Sequence, residues 1–445
     1  MNRRSAPGFP NRPAIRRAHS GPATGQKRNL WGRYARLSEL AGPSFLAIGF
    51  PARLPLAMLT IGTLTMVTAS TGSYALGGFA AGAVGIGSAI GAPALGYFAD
   101  REGQRPVLLL AAAAHTLAIG ILLLVVYAGS AGAGMGAILA ASLAVGATSP
   151  QVSPLARVRW MAMARNDKQV LDTALSYEST ADELTFVLGP ALVGLLAAAI
   201  APWLPFVLAV LITATLVPAF ALHRTSFAVV PVGRNLAHQH PEAAAEALRS
   251  RQPVNWLRTS VPVLGMIAMG TFFGGSQNAL SAFGGTFGAA DAAGLLYALL
   301  GLTSAFGALS VAYWPARWRP ASRWIVCAGA MAAFSVLLLL PAEVGAMVIV
   351  LLVVGLPVGP TMVTIFSIGT LVAPKDRLGT VMTLLASGVV LGSAIGSAAA
   401  GAVAERGGYA DAFVVPIAAA AALFVLGFLA AAVARSSSPG GQRDA

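Results

Sequence analysis

The chain has 445 residues, of which 56% are hydrophobic and only 10% charged, with a mean hydropathy of +0.74. A soluble domain covers its surface with roughly 25% charged residues, so this composition excludes one. The net charge of +13 comes from 26 Arg and 3 Lys against 16 acids, and these cations are grouped at alternate loops, which points away from a nucleic-acid partner.

Other chemistries fall away as quickly. The single cysteine, Cys327, lies in an apolar run, which excludes an internal disulfide and a cysteine metal cluster and marks it as a packing residue. The histidines show no HExxH spacing, and no lysine follows a glycine, so a Walker A loop and its ATP chemistry are absent. No metal or other cofactor is expected.

In chain order, residues 1–29 are rich in Arg, Pro, Asn, Gly and Ser and read as a disordered tail. Arg3-Arg4 and Arg16-Arg17 stand too far from any apolar run for a cleaved twin-arginine signal. Leu30, Trp31, Tyr34, Leu37 and Ala41 recur at helical spacing with Arg33 and Arg36 between them, the pattern of a short interfacial helix or of a plain loop. Twelve apolar segments follow, at about 44–69, 74–98, 106–128, 133–155, 181–201, 203–222, 259–281, 292–314, 321–341, 345–370, 379–402 and 411–434. A helix needs about 20 apolar residues to cross the hydrocarbon core, and strict period-2 alternation is missing, so helices are expected rather than a barrel.

Positive charge sets the orientation. With the N-terminus inside, 27 of the 29 basic residues fall on cytoplasmic segments; Arg406 lies outside and Arg53 lies within the first segment. The outer loops carry Asp291, Glu343 and Asp411. The expected organisation is an all-α membrane protein with both termini cytoplasmic. A basic tail, 1–43, precedes a six-helix half, 44–222; a cytoplasmic linker, 223–258, joins it to a second six-helix half, 259–434, and a short tail, 435–445. Within the linker, HQHPEAAAEALRSRQ has the composition of a surface helix.

Faint repeats relate the halves. Leu188-Gly189-Pro190-Ala191-Leu192 in segment 5 matches Leu391-Gly392-Ser393-Ala394-Ile395 in segment 11. Segments 4 and 10 share Val145-Gly146…Pro150 and Val354-Gly355…Pro360. Two related six-helix halves are a transporter construction with the substrate near the midplane.

The charge cluster GYFADREGQRP, residues 96–106, lies between segments 2 and 3. Gly96 permits close helix approach and Gly103 a tight turn. Arg101 and Arg105 suit the negative C-terminal end of segment 2, whereas Asp100 does not and needs a partner, such as an arginine or another helix's N-terminus. Gly96, Asp100, Arg101, Gly103 and Arg105 match the loop 2–3 signature of the major facilitator superfamily, which the chain resembles over about 44–434. The resemblance implies a twelve-helix transporter fold and gives Asp100 the role of latching the two halves on the cytoplasmic side while the cavity opens outward. The corresponding loop of the second half keeps only basic character, with Trp314 opposite Asp100.

Gly189, Pro190 and Gly194 in segment 5 resemble part of that family's antiporter signature, typical of exporters, although Thr185 and Phe186 stand where an earlier glycine belongs. Among intramembrane polar residues, Arg53 would face a cavity, an anionic ligand group or a carboxylate of another helix, or would snorkel to the interface. Asp182 and Glu183 begin segment 5, where acids cap a helix, and a shielded carboxylate there could also couple to protons. Gln277 and Asn278, between Phe272-Phe273 and Phe283, are candidates to read a polar ligand group, or to bond between helices.

The favoured function is alternating access with proton-coupled export of a small, partly hydrophobic compound. The rivals are an uptake permease for a polar metabolite and a non-transporting sensor. A monomer in the cell membrane of a GC-rich bacterium is expected, with solute, protons and lipid as partners.

Overall fold

The computed structural model describes residues 32–128, 134–164, 167–229, 254–287, 293–315 and 317–436. Residues 1–31 and 437–445 of the terminal tails, the linker helix and Asp291 lie outside these residues. The described residues are helical, and twelve of the helices are long and apolar enough to cross a bilayer. In order these are α1 Pro43–Thr71, α2 Leu76–Glu102, α3 Gln104–Tyr127, α4 Met135–Ala164, α5 Lys168–Ala199, α6 Leu204–Leu222, α7 Trp256–Thr286, α8 Ala293–Tyr313, α9 Pro320–Leu339, α10 Val344–Val372, α11 Leu378–Ala412 and α12 Val414–Ala432. A further helix, Gly32–Ala41, precedes them.

Three spans are broken at prolines, which lack the N–H that a continuous helix requires. The breaks fall at Pro51 in α1, at Ser149-Pro150 in α4 and at Leu356-Pro357 in α10.

The largest departure from the sequence reading is the join between α4 and α5. Hydropathy ends segment 4 at 155 and begins segment 5 at 181, but the helices run on to Ala164 and from Lys168. The polar stretch between them is folded into the bundle, where Arg157 meets Asp182, Glu178 meets Arg53, and Arg159 donates to Gln104, Thr225 and the carbonyl of Phe220. Arg157, Arg159 and Glu178 are each 0% exposed. Arg157 and Arg159, assigned to a loop by the charge pattern, are therefore interior residues. The turn that remains is capped by Asp167, whose carboxylate accepts from the backbone N–H groups of Gln169 and Val170 at 3.0 and 3.1 Å.

The sequence repeats correspond to equivalent helix crossings. A Cβ on Gly189 would stand 2.7 Å from Ala57 of α1, and a Cβ on Gly392 would strike the carbonyl of Ile267 of α7. Each half thus presses its fifth helix against its first through a glycine. Likewise Gly146 of α4 sits on the backbone of Val84 in α2, and Gly355 of α10 sits on that of Leu300 in α8.

The halves meet along α2 and α11 and along α5 and α8. On the second seam the Thr180 hydroxyl donates to the carbonyl of Ala305 at 3.3 Å.

Candidate gate and translocation site

Asp100 lies in the last turn of α2, and its side chain crosses to the other half. One carboxylate oxygen accepts from the backbone N–H of Gly379 at 2.8 Å. The other accepts from the backbone N–H and the hydroxyl of Thr380 at 2.7 and 2.8 Å. Gly379 and Thr380 form the first turn of α11, whose N–H groups have no partner inside their own helix and carry its positive dipole end. An acid unfavourable at the end of its own helix is thereby favourable at the start of another.

Gly96 and Gly379 allow the approach. A Cβ on Gly96 would be 2.7 Å from the carbonyl oxygen of Gly379, and one on Gly379 would be 2.5 Å from an Asp100 oxygen. Gly103 closes the corner with φ of +97°, a conformation most residues resist. Arg101 and Arg105 are exposed; Arg101 pairs with its neighbour Glu102 at 3.0 Å on the surface. A cation also reaches across the same seam, with the Arg377 guanidinium 5.3 Å from the ring centre of Tyr97.

Deeper in the first half, four charged residues from three helices form one buried network. Arg53 of α1 donates to Glu178 at 2.9 Å and to Asp182 at 3.1 Å, both on α5. Arg157 of α4 donates to Asp182 at 2.7 Å, and the Ser153 hydroxyl donates to the same oxygen at 2.8 Å. The Trp160 indole donates to the remaining Glu178 oxygen at 2.8 Å. The two cations and two anions balance. Of the readings open for Arg53, this is the carboxylate of another helix; at 4% exposure the side chain does not snorkel.

This geometry corrects the reading of Asp182 and Glu183 as helix-capping acids. They stand in the middle of α5, because the helix begins at Lys168. It also supplies residues that sequence reasoning missed: Ser153, Arg157 and Trp160. Their i, i+4, i+7 spacing, facing Glu178 and Asp182 at i, i+4, is the signal that two charged helix faces could pair.

The network borders a cavity of about 40 Å³ lined by both halves. Arg53, Ser153, Asp182 and Phe186 contribute from the first half; Met266, Met362 and Phe366 contribute from the second. Pockets that hold small molecules measure roughly 300–1,000 Å³, so the cavity is closed down in this conformation. Phe366 carries the Arg157 guanidinium 3.7 Å above its ring, coupling the network to α10.

Glu183, one residue beyond Asp182, faces the other way. It is 3% exposed and lies on the α5–α8 seam beside Ser304 and Tyr297. The Ser304 hydroxyl is a donor close to the Glu183 carboxyl, but it makes no hydrogen bond of normal geometry to either oxygen.

The remaining candidates are not brought to the cavity. Gln277 and Asn278 are half-buried on α7, with the Asn278 amide directed back to the carbonyl of Gly274 at 3.4 Å. The α7 residue at the cavity is Met266. Gly189 packs on α1, Pro190 continues α5, and Gly194 is exposed. No group of His, Cys, Asp or Glu suited to a metal occurs among the described residues.

The Major Facilitator Superfamily profile matches residues 45–397. No curated protein matches the sequence. Among solved structures, the human organic anion transporter MFSD10 (TETRAN) is similar with a TM-score of 0.63 at 18% identity, over 87% of this chain and 98% of that one. A bacterial homologue of the iron transporter ferroportin, in an outward-facing state with soaked iron, is similar with a TM-score of 0.63 at 14% identity, over the same 87% and 98%. At such identities the likeness concerns the fold, and the family match concerns most of the sequence. The chain belongs to the Major Facilitator Superfamily, and it is a multi-pass membrane transporter, not an enzyme.

Proposed function

We propose that this transporter works by alternating access as a proton-coupled exporter of a small, partly hydrophobic compound, acting as a monomer in the cell membrane. The observation that carries the reading is the Asp100 carboxylate of one half seated on the first turn of α11 in the other. A cavity lined by both halves and a charged tie between them are what a rocking mechanism needs. The excess of basic residues assigns the Asp100 end to the cytoplasm, so the tie is a cytoplasmic latch that releases when the cavity opens inward.

Glu183 supports the proton. An ionised carboxylate with no cation beside it and no well-formed hydrogen bond, buried between two helices, would cost several kcal/mol, and a proton on the group removes that cost. Separation of α5 from α8 exposes the group to water and lets the proton leave. Asp182, held by two arginines and a serine, has no such reason to exchange one. Gly189, Pro190 and Gly194 support export by resemblance to the family's antiporter signature, and Phe186, Met266, Met362 and Phe366 suit an apolar portion of the solute.

Candidate compounds are first screened for thermal stabilisation of the purified protein. A stabilising compound is then tested in oriented vesicles with an imposed pH gradient. Gradient-driven accumulation in inverted vesicles is the expected result; accumulation confined to right-side-out vesicles identifies an importer and overturns the export reading.

A further inference from the structure

The helix Gly32–Ala41 takes no part in the site above, and its two ends of attachment lie on different halves. Its root is in the first half. Leu37 and Ala41 are 1% and 0% exposed and share a core with Phe45, Trp160 and Phe220. Arg36 pairs with Asp167 at the start of α5 at 4.0 Å. Gly42, at φ of +90°, turns the chain from this helix into α1. The apolar stripe that suggested a membrane-surface helix thus rests on protein at Leu37 and Ala41.

Its other edge reaches the second half. The Arg33 guanidinium donates to the carbonyl of Ala312, and the Tyr34 hydroxyl donates to that of Leu309 at 2.7 Å. Both acceptors belong to the last turns of α8, where carbonyls lack partners within the helix and the dipole favours a cation. Arg33 also lies 5.0 Å from the centre of the Tyr313 ring, and the Tyr34 and Tyr313 rings are 6.2 Å apart. Burial raises the Tyr34 phenol pKa well above its ordinary value, which keeps the hydroxyl protonated as a donor.

We propose that this helix is a second clasp between the halves, fixed to the first and gripping the end of α8 through Arg33 and Tyr34, so that it closes the same end of the transporter as Asp100. The inference rests on the alternating-access reading. The two ties act on different helices: Asp100 holds α11, and Arg33 with Tyr34 holds α8. Rocking that parts the halves at this end has to break both. The clasp is carried by side chains ahead of the first membrane span.

The test uses the full chain with Cys327→Ala and spin labels at Glu102→Cys and Arg319→Cys, one exposed site in each half. Distances in nanodiscs are compared for four proteins: this parent, the parent with Asp100→Asn, the parent with Arg33→Gln and Tyr34→Phe, and the parent with all three substitutions. The expected result is a minor long-distance population in the parent that rises roughly thirtyfold or more relative to the closed one in the Arg33/Tyr34 variant, the effect of losing a charged and a neutral hydrogen bond. Asp100→Asn raises it independently, and the combined variant raises it further. If Asp100→Asn lengthens the distance and the Arg33/Tyr34 variant does not, the clasp is overturned while alternating access stands. If all the proteins keep the single short distance, across the pH range and with stabilising compounds added, the alternating-access reading fails and the clasp with it. Matching thermal stability of the variants and the parent ensures that the distances report gating and not unfolding.

Discussion

Two faces of α5 carry acids one residue apart, and their surroundings are opposite. Asp182 points into the first half, where Arg53, Arg157 and Ser153 supply three donors to its two oxygens. Glu183 points to the seam with α8, where the neutral Ser304 hydroxyl, not a guanidinium, lies beside it and no well-formed hydrogen bond reaches either oxygen. A carboxylate surrounded by guanidinium groups is a fixed charge that holds helices together. A carboxyl group without a charged partner, on a surface that must open and close, is free to gain and lose a proton. The contrast separates structural charge from working charge, although both residues are buried acids in the same helix.

Substitutions can break this distinction. The largest effect is expected from Asp182→Ala, which leaves Arg157 without its carboxylate and Arg53 with one of two. Breaking a buried pair in this way costs about 3–5 kcal/mol, to be read as a lowered unfolding midpoint of the purified protein. Asp100→Asn comes next. It weakens bonds to a charged acceptor by about 1.5–3 kcal/mol, and the loss falls on the closed state, so opening at that end should rise roughly ten- to hundredfold. Cysteine-accessibility labelling near the cavity would register the change. Glu183→Gln should alter stability by less than about 1 kcal/mol, because a neutral amide replaces a group already proposed to be neutral. If that variant unfolds as readily as Asp182→Ala, the two faces are not different in kind. The smallest effect belongs to Arg101→Gln, within about 0.5 kcal/mol, because the exposed Arg101–Glu102 pair is solvated.

The sequence makes the twelve spans visible because each is a long apolar run, and hydropathy is a local property. It conceals the join of α4 and α5 because Arg157, Arg159 and Glu178 look solvated until the helix that pairs with each is known. The Gly189 and Gly392 repeat is visible as a pattern, but the close crossings it makes with α1 and α7 depend on three-dimensional packing. Asp100 is an intermediate case. Helix-end electrostatics shows from sequence that it wants donors, yet the donors lie 279 and 280 residues away in α11. Glu183 could be singled out as a shielded acid, but the lack of a charged partner around it is a property of the α5–α8 seam alone. Arg33 and Tyr34 were visible only as parts of an amphipathic stripe; their reach to α8 follows from the turn at Gly42.

The most direct test of proton coupling compares two fluxes of a stabilising compound through reconstituted Glu183→Gln and the parent protein. The account predicts that the variant loses accumulation driven by a pH gradient while keeping exchange of compound across the membrane at equal pH, where no net proton movement is needed. Gradient-driven accumulation at the parent rate in Glu183→Gln would contradict it and move the coupling proton to another residue.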